Sequence, residues 1–154
     1  MPEDLITIED PRAADIRELL GRHLEHMASL SPPENVFALD VDGLLDPAVT
    51  FYAYRRDGLL VAVGAIKRLD EEHGELKSMH TAQAARGTGI GRAMLDHLLA
   101  VARGRGYRRL SLETGSMAGF LPARSLYASA GFRPCGSFAG YPDSEFSTFM
   151  TLEL

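Results

Sequence analysis

The sequence predicts one mixed α/β domain whose central sheet is mostly antiparallel and contains one parallel pair of strands. Residues 49–81 hold three segments of β-forming composition separated by polar turns, which predicts an antiparallel meander. A glycine-rich loop and an amphipathic helix follow, and they lead to a fifth strand at residues 107–113. Because a helix carries this connection, the fourth and fifth strands should run parallel.

The rest of the chain adds helices and strands at both ends. Asp10 and Pro11 favour an N-cap and a first helical turn, so a helix should begin there. Its apolar face recurs at spacings of three and four residues: Ile16, Leu19, Leu20, His23, Leu24 and Met27. The other predicted elements are a strand at 5–8, a short helix at 122–130 and strands at 133–138 and 146–154. Because no linker or repeat is visible, residues 1–154 are expected to form a single domain.

Composition restricts the possible partners. The chain is 45% apolar and 24% charged, as soluble globular proteins are. A net charge of −5 argues against nucleic acid or an anionic membrane as a partner. The single cysteine, Cys135, offers neither a disulfide framework nor a cysteine-based zinc site, and no metal is expected. No signal-like N-terminus or long apolar run is present, so the expected compartment is the cytoplasm.

A glycine-rich loop at a strand-to-helix junction is the strongest local signal in the chain. It contains Gly87, Gly89 and Gly91, with Arg86 directly before them. Glycines at such a junction leave backbone N–H groups bare and let an anion approach closely, and the helix N-terminus adds partial positive charge. The loop therefore predicts a ligand that carries phosphate groups.

Three kinds of phosphate-binding loop compete for this stretch. A P-loop requires Gly-Lys-Ser/Thr, which occurs nowhere in the chain. The dinucleotide fingerprint G-x-G-x-x-G would need a third glycine where Arg92 or Met94 stands, although Glu113 lies at the distance expected for its acidic residue. An NAD-dependent oxidoreductase is therefore a weaker alternative. The third pattern, Q/R-x-x-G-x-G/A, is matched in full by residues 86–91.

That third pattern resembles the pyrophosphate-binding motif of the GNAT superfamily of acetyl-CoA-dependent N-acetyltransferases. A second segment, residues 123–132, resembles the family pattern A-x-x-L-Y-x-x-x-G-F. The predicted order of elements matches the GNAT order along essentially the whole chain. The resemblance implies a GNAT fold with helices on both faces of the sheet. Phe120 departs from the pattern, because the family usually has a CoA-contacting asparagine at that position.

The resemblance also implies acetyl-CoA as co-substrate and direct transfer of its acetyl group, in a ternary complex, to an amine of a small molecule or peptide. The cofactor-binding residues that it implies are Met79, His80, Thr81, Arg86, Gly87, Thr88, Gly89, Ile90, Gly91 and Arg92. A backbone N–H near Met79 would polarise the thioester, because the family's fourth and fifth strands splay apart there. Tyr127 matches the family tyrosine that acts as general acid.

The proton acceptor and the acceptor substrate are less defined. Glu75 falls where several family members place a base, with Glu113 as the second candidate and His80 as the third. The residues expected to contact the substrate are His26, Glu34, Glu113 and Tyr141. The alternative to an enzyme is a catalytically weak acyl-CoA-binding regulator. The chain is expected to be a monomer or a homodimer.

Alternation along the fourth strand predicts which of its side chains share a face. One face would carry Glu75, Lys77, Met79 and Thr81, and the other would carry Leu76, Ser78 and His80. The strand is mostly polar, whereas a central strand buried on both faces is usually apolar. One of its faces should therefore meet water, a ligand or other polar groups.

Overall fold

The computed structural model describes residues 3–37 and 40–154. The strands are β1 (Asp4–Ile8), β2 (Val49–Arg56), β3 (Leu59–Arg68), β4 (His73–Thr81), β5 (Arg109–Gly115), β6 (Arg133–Pro134) and β7 (Ser147–Glu153). The helices are α1 (Ala14–Leu30), α2 (Val41–Leu44), α3 (Ile90–Gly104) and α4 (Leu121–Ser129). One-turn 3-10 helices lie at Pro33–Asn35, Gln83–Ala85 and Ala118–Phe120.

The strands form one seven-stranded sheet in the order β1-β2-β3-β4-β5-β7-β6. β1 to β4 are antiparallel neighbours, β4 and β5 are parallel, and β7 is antiparallel to both β5 and β6. This confirms the predicted meander and the single parallel pair, which a helical crossover requires. The helix in that crossover is α3.

Helices cover both faces of the sheet, as predicted. On one face α1 and α2 pack against β2 and β3, with Ile16 and Leu20 of α1 fully buried against residues such as Val63. On the other face α3 and α4 pack against the whole width of the sheet, with Met94 and Leu98 at the centre. Apolar burial on both faces fixes the sheet between two helical layers.

β4 and β5 are hydrogen-bonded neighbours over only a short stretch. They pair at His73 with Arg109, Gly74 with Leu110 and Glu75 with Ser111, and the pairing stops there. Beyond Glu75 the two strands diverge, so the second half of β4 has no neighbour on its β5 side. The divergence opens a cleft inside the sheet.

A β-bulge reorders the faces of β4 and corrects the prediction from strict alternation. Ser78 adopts the left-handed conformation (φ 55°), and the register with β3 shifts between Val63 and Ala65. Val63 and Ala65 lie on one face of β3, and their partners are His80 and Lys77. Because one extra residue is inserted, His80 joins the face of Lys77, whereas Met79 packs into the core on the α3 face.

Several predicted boundaries differ from those in the structure. The first helix begins at Ala14, because the Asp10 carboxylate instead accepts a hydrogen bond from the Arg12 N–H (2.8 Å) in a turn before it. β4 begins at His73 rather than at Glu75. The sixth strand is only Arg133–Pro134, although the Cys135 N–H after it still donates to the Phe149 carbonyl over 2.9 Å.

Candidate active site

The cleft between β4 and β5 continues into a cavity of about 500 Å³. The glycine loop borders it at one end, and α1 and the β6–β7 loop border it at the other. Its lining includes Glu75, Lys77, Ser78, Met79, His80, Thr81, Arg86, Gly87, Gly89, Ile90, Gly91, Arg92, Glu113, Phe120, Tyr127 and Tyr141. One cavity therefore joins an anion-binding loop to a set of titratable side chains.

The glycine loop presents bare backbone N–H groups to the cavity. Gly87 and Gly89 have φ values of 76° and 82°, a conformation that favours glycine. In the part of the chain that the structure describes, no backbone carbonyl accepts a hydrogen bond from the N–H groups of residues 87–92. Thr88 turns its hydroxyl to the Ala85 carbonyl and is outside the cavity lining. The free N–H groups and the α3 N-terminus behind them form an anion-binding concavity.

Tyr127 of α4 lines the cavity. Its side chain is buried and packs edge-on against Phe132, with ring centroids 5.8 Å apart. Burial raises the pKa of Tyr127 well above its usual range, because the phenolate would be poorly solvated. The hydroxyl therefore stays protonated at neutral pH and can donate a proton.

Glu75 lies in a closed network on the α1 face of the sheet. Its Oε2 atom accepts hydrogen bonds from Lys77 Nζ (3.0 Å) and from the hydroxyl of Tyr141. Lys77 Nζ also donates to the Tyr141 hydroxyl over 2.7 Å. The side chains of Lys77 and Glu75 are only 8% and 3% exposed. Burial and the neighbouring Glu75 charge raise the pKa of Tyr141 well above its usual range. Both donors therefore bind the same carboxylate oxygen of Glu75.

Glu113 is the second carboxylate in the cavity and has a different environment. It lies on β5, two residues beyond the last pair that β4 and β5 form. Burial raises the pKa of Glu113 to about 7, and the Glu75 charge adds to the rise, while Ser147 and Lys77 oppose it. In the ranges that the structure describes, Glu113 forms no salt bridge. It can therefore exchange a proton near neutral pH.

Two histidines meet across the wall of the cavity. His23 of α1 and His80 of β4 have their Nδ1 atoms 3.2 Å apart. Burial lowers the pKa of His23 to about 4, and burial together with the neighbouring His23 lowers that of His80 to about 3. Both rings are therefore neutral at physiological pH, and one Nδ1 donates to the other.

The sequence pattern described as the acetyltransferase (GNAT) family matches residues 13–132 of this chain. This range includes α1, the glycine loop and the tyrosine helix α4. The chain belongs to the GNAT acetyltransferase family.

Relatives with curated names support this membership over nearly the whole GNAT domain. The uncharacterized N-acetyltransferase YsnE of Bacillus subtilis (strain 168) is 44% identical over 97% of this chain and 99% of its own length. The IAA acetyltransferase of Azospirillum brasilense is 35% identical, covering 97% of each chain. Because the GNAT pattern covers residues 13–132 and these acetyltransferase relatives cover nearly the whole chain, the protein is an acetyltransferase.

Solved structures agree on the GNAT fold. A Klebsiella pneumoniae protein provisionally named an acyl-CoA N-acyltransferase superposes with a TM-score of 0.83 at 30% identity, over 98% of this chain and 97% of that one. A GNAT acetyltransferase from Elizabethkingia anophelis, solved with acetyl-CoA bound, superposes with a TM-score of 0.72 at 17% identity, over 98% of each chain. The mixed sheet with its single parallel pair is thus the GNAT fold.

The GNAT fold brings most of the predicted site residues to one cavity and leaves a few outside. Glu75, Glu113, Tyr127 and Tyr141 all line it, and His26 reaches its rim from α1 and packs on Phe120 with ring centroids 6.3 Å apart. Glu34 is exposed on the one-turn helix after α1 and does not line the cavity. Across residues 3–37 and 40–154, no group of three or more His, Cys, Asp or Glu side chains is placed to hold a metal.

Sequence reasoning missed Lys77 as part of the site. The alternation of β4 had placed Lys77 beside Glu75, and that signal could have identified the pair. Their shared partner Tyr141 comes from a loop 64 residues away from Lys77, which no local pattern indicates. Phe37 also lines the cavity and packs edge-on against Tyr141. Over the described parts of the chain, none of the helices is both long and apolar enough for a membrane span.

Proposed function

We propose that this GNAT protein transfers an acetyl group from acetyl-CoA to an amine by direct transfer between two bound substrates. The observation that carries the proposal is the shared cavity. It joins the bare N–H groups of the glycine loop to Tyr127 and Glu113. An anion-binding loop alone would fit many phosphate ligands, but the acid and the base beside it suit acyl transfer.

The residues present fit acetyl-CoA. The N–H groups of residues 87–92 and the guanidinium groups of Arg86 and Arg92 would hold its pyrophosphate. The half of β4 that β5 does not pair offers main-chain groups to an extended ligand arm. Ser78 adds a buried hydroxyl with no partner among the described groups. When bound, acetyl-CoA supplies an activated acetyl thioester.

We assign the proton acceptor to Glu113 rather than to Glu75. Within the protein, Glu75 already accepts hydrogen bonds from Lys77 and Tyr141 on its Oε2 atom. Glu113 carries no such pair, and its pKa of about 7 suits a base at neutral pH. A base must be ionised, so kcat/KM should rise as the pH increases through about 7. Deprotonation of the acceptor amine would also contribute to this rise of kcat/KM with pH.

Tyr127 is proposed as the general acid. Its Oη can supply the proton that a departing thiolate needs, and its raised pKa keeps that proton in place at neutral pH. The neutral pair His23 and His80 lines the α1 side of the cavity and adds no charge. The chain thus offers separate groups for the proton taken from the amine and the proton given to the thiol.

Thermal unfolding with acetyl-CoA tests the proposal. At a concentration about 100-fold above Kd, acetyl-CoA should stabilise the protein by about 2.7 kcal/mol. Gly89→Asp adds a negative charge and a side chain at a positive φ, so it should remove this stabilisation. Gly106→Asp is the matched control, because Gly106 has a φ of 80° at the far end of α3, outside the cavity. If acetyl-CoA stabilised the Gly89→Asp variant as much as the original protein, the proposed pyrophosphate site at the glycine loop would be refuted.

Turnover of candidate acceptors completes the test. Release of CoA should occur with amines and should require Glu113. IAA, the compound in the name of the Azospirillum relative, is the second acceptor to assay, because that protein is 35% identical over nearly its full length. A protein that binds acetyl-CoA but acetylates nothing would support the alternative of a regulator.

A further inference from the structure

Two loops meet over the acceptor end of the cavity. Asn35, after α1, donates from Nδ2 to the Ser144 hydroxyl of the β6–β7 loop over 2.9 Å. Nearby, the rings of Phe37 and Tyr141 pack edge-on with centroids 5.2 Å apart. These contacts join segments more than 100 residues apart, so a flat or extended acceptor does not have free passage between the two loops.

The two loops that lie over the cavity are held to β4, which lines it, through Tyr141. Tyr141 donates to Glu75 and accepts from Lys77, and Lys77 Nζ also lies 5.4 Å from the centre of the Tyr141 ring. The charge of Lys77 is thus satisfied by Glu75 within the protein. A carboxylate on an incoming acceptor would have to break this buried pair to gain Lys77 as a partner.

The charge that remains at the acceptor end is negative. Glu113 lacks an ion-pair partner within the described residues, and the two histidines of the cavity lining, His23 and His80, are neutral. The other cations in the lining, Arg86 and Arg92, lie at the glycine loop. The apolar part of this end comes from Met27, Phe37 and Phe120. An unpaired carboxylate in a cavity that also carries these apolar side chains favours a cation with an apolar body.

On the basis of the proposed function, we infer that the acceptor is a small primary amine with an apolar or aromatic body and no carboxylate. Glu113 binds its ammonium group before accepting the proton, and Phe37 and Tyr141 cover its body. Amino acids are disfavoured because their carboxylate would meet the unpaired charge of Glu113 and a Lys77 that is already paired with Glu75. Peptides are disfavoured by the contact between the two loops.

Matched acceptors test this specificity. 2-Phenylethylamine and phenylalanine share a body and differ by one carboxylate, and a short peptide with an N-terminal phenylalanine extends it. We expect kcat/KM for 2-phenylethylamine to exceed that for each of the other two at least 10-fold. Equal or better turnover of phenylalanine or of the peptide would overturn the inference while leaving acetyl transfer established. Failure to bind acetyl-CoA would instead refute the proposed function.

A binding measurement separates recognition by Glu113 from its part in proton transfer. N,N-Dimethyl-2-phenylethylamine binds as a cation but forms no stable amide, so its Kd for the CoA-bound protein reports recognition alone. Glu113→Gln should raise this Kd at least 10-fold, Glu113→Asp should raise it less, and the exposed α1 variant Glu25→Gln should not change it. Stabilisation of each variant by acetyl-CoA against thermal unfolding shows that the variant is folded. An unchanged Kd in Glu113→Gln would overturn the assignment.

Discussion

At the scale of single residues, the chemistry depends on how burial treats two acids differently. Burial raises the pKa of Glu113 only to about 7, so this carboxyl can still change its charge under physiological conditions. Burial raises the pKa of Tyr127 beyond that range, so the phenol keeps its proton. Both effects come from the cost of placing a charge away from water. They separate the two groups into a proton acceptor and a proton donor.

Tyr127→Phe removes the donor and keeps the ring. The variant should lower kcat by about 10²-fold, in the range for general acid–base catalysis, because the departing thiolate loses its proton source. Stabilisation by acetyl-CoA should persist, since the packing of the ring on Phe132 is unchanged. Tyr107→Phe is the control, because Tyr107 is also buried but lies outside the cavity. An unchanged kcat, with the chemical step limiting the rate, would leave Tyr127 with a packing role alone.

At the scale of elements, the bulge in β4 decides which side chains face the acceptor. It turns His80 toward α1 and Met79 toward α3, and it places Met79 close to the neighbouring strand β3. A Cβ added to Gly64 of β3 would lie 2.9 Å from both Met79 Sδ and Leu98 Cδ1. Glycine at this position lets the bulge and the α3 side chains pack against β3.

Gly64→Ala should therefore destabilise the protein by about 1–3 kcal/mol, as overpacking does, and should displace Met79 from its place beside the cleft. Gly21→Ala is the matched control. Gly21 lies in α1 with nothing within 4 Å of an added Cβ, so alanine there should stabilise by about 0.5–1 kcal/mol. Urea unfolding measures both changes. Equal effects of the two substitutions would show that the bulge does not depend on Gly64.

The same element shows where prediction from sequence succeeds and where it fails. The meander, the glycine loop and α3 follow from patterns within a few residues, such as turn residues and apolar periodicity, and the sequence predicted them. The bulge at Ser78 brings Met79 close to Gly64 of another strand, and strict alternation assigned the wrong face to His80. The partnership of Tyr141 with Glu75 spans 66 residues, so it follows only from the fold.

At the scale of the whole molecule, the cleft divides the sheet into two parts. β1 to β4 form one part and β5 to β7 form the other, and the two parts share three pairs of residues between β4 and β5. The helices α3 and α4 pack across both parts. A ligand in the cleft would contact both parts of the sheet. Its binding should therefore slow amide hydrogen exchange most strongly along the cleft.

Amide hydrogen exchange can test this coupling. The N–H groups of residues 87–92 have no backbone acceptor among the described residues, so they should exchange fast in the free protein. Saturating acetyl-CoA should slow them by about 10-fold or more, whereas the exposed hairpin turn at Asp57 and Gly58 should be unaffected. Gly89→Asp should abolish the protection. Uniform slowing across the protein would instead indicate global stabilisation by mass action, with the pyrophosphate bound elsewhere than at the glycine loop.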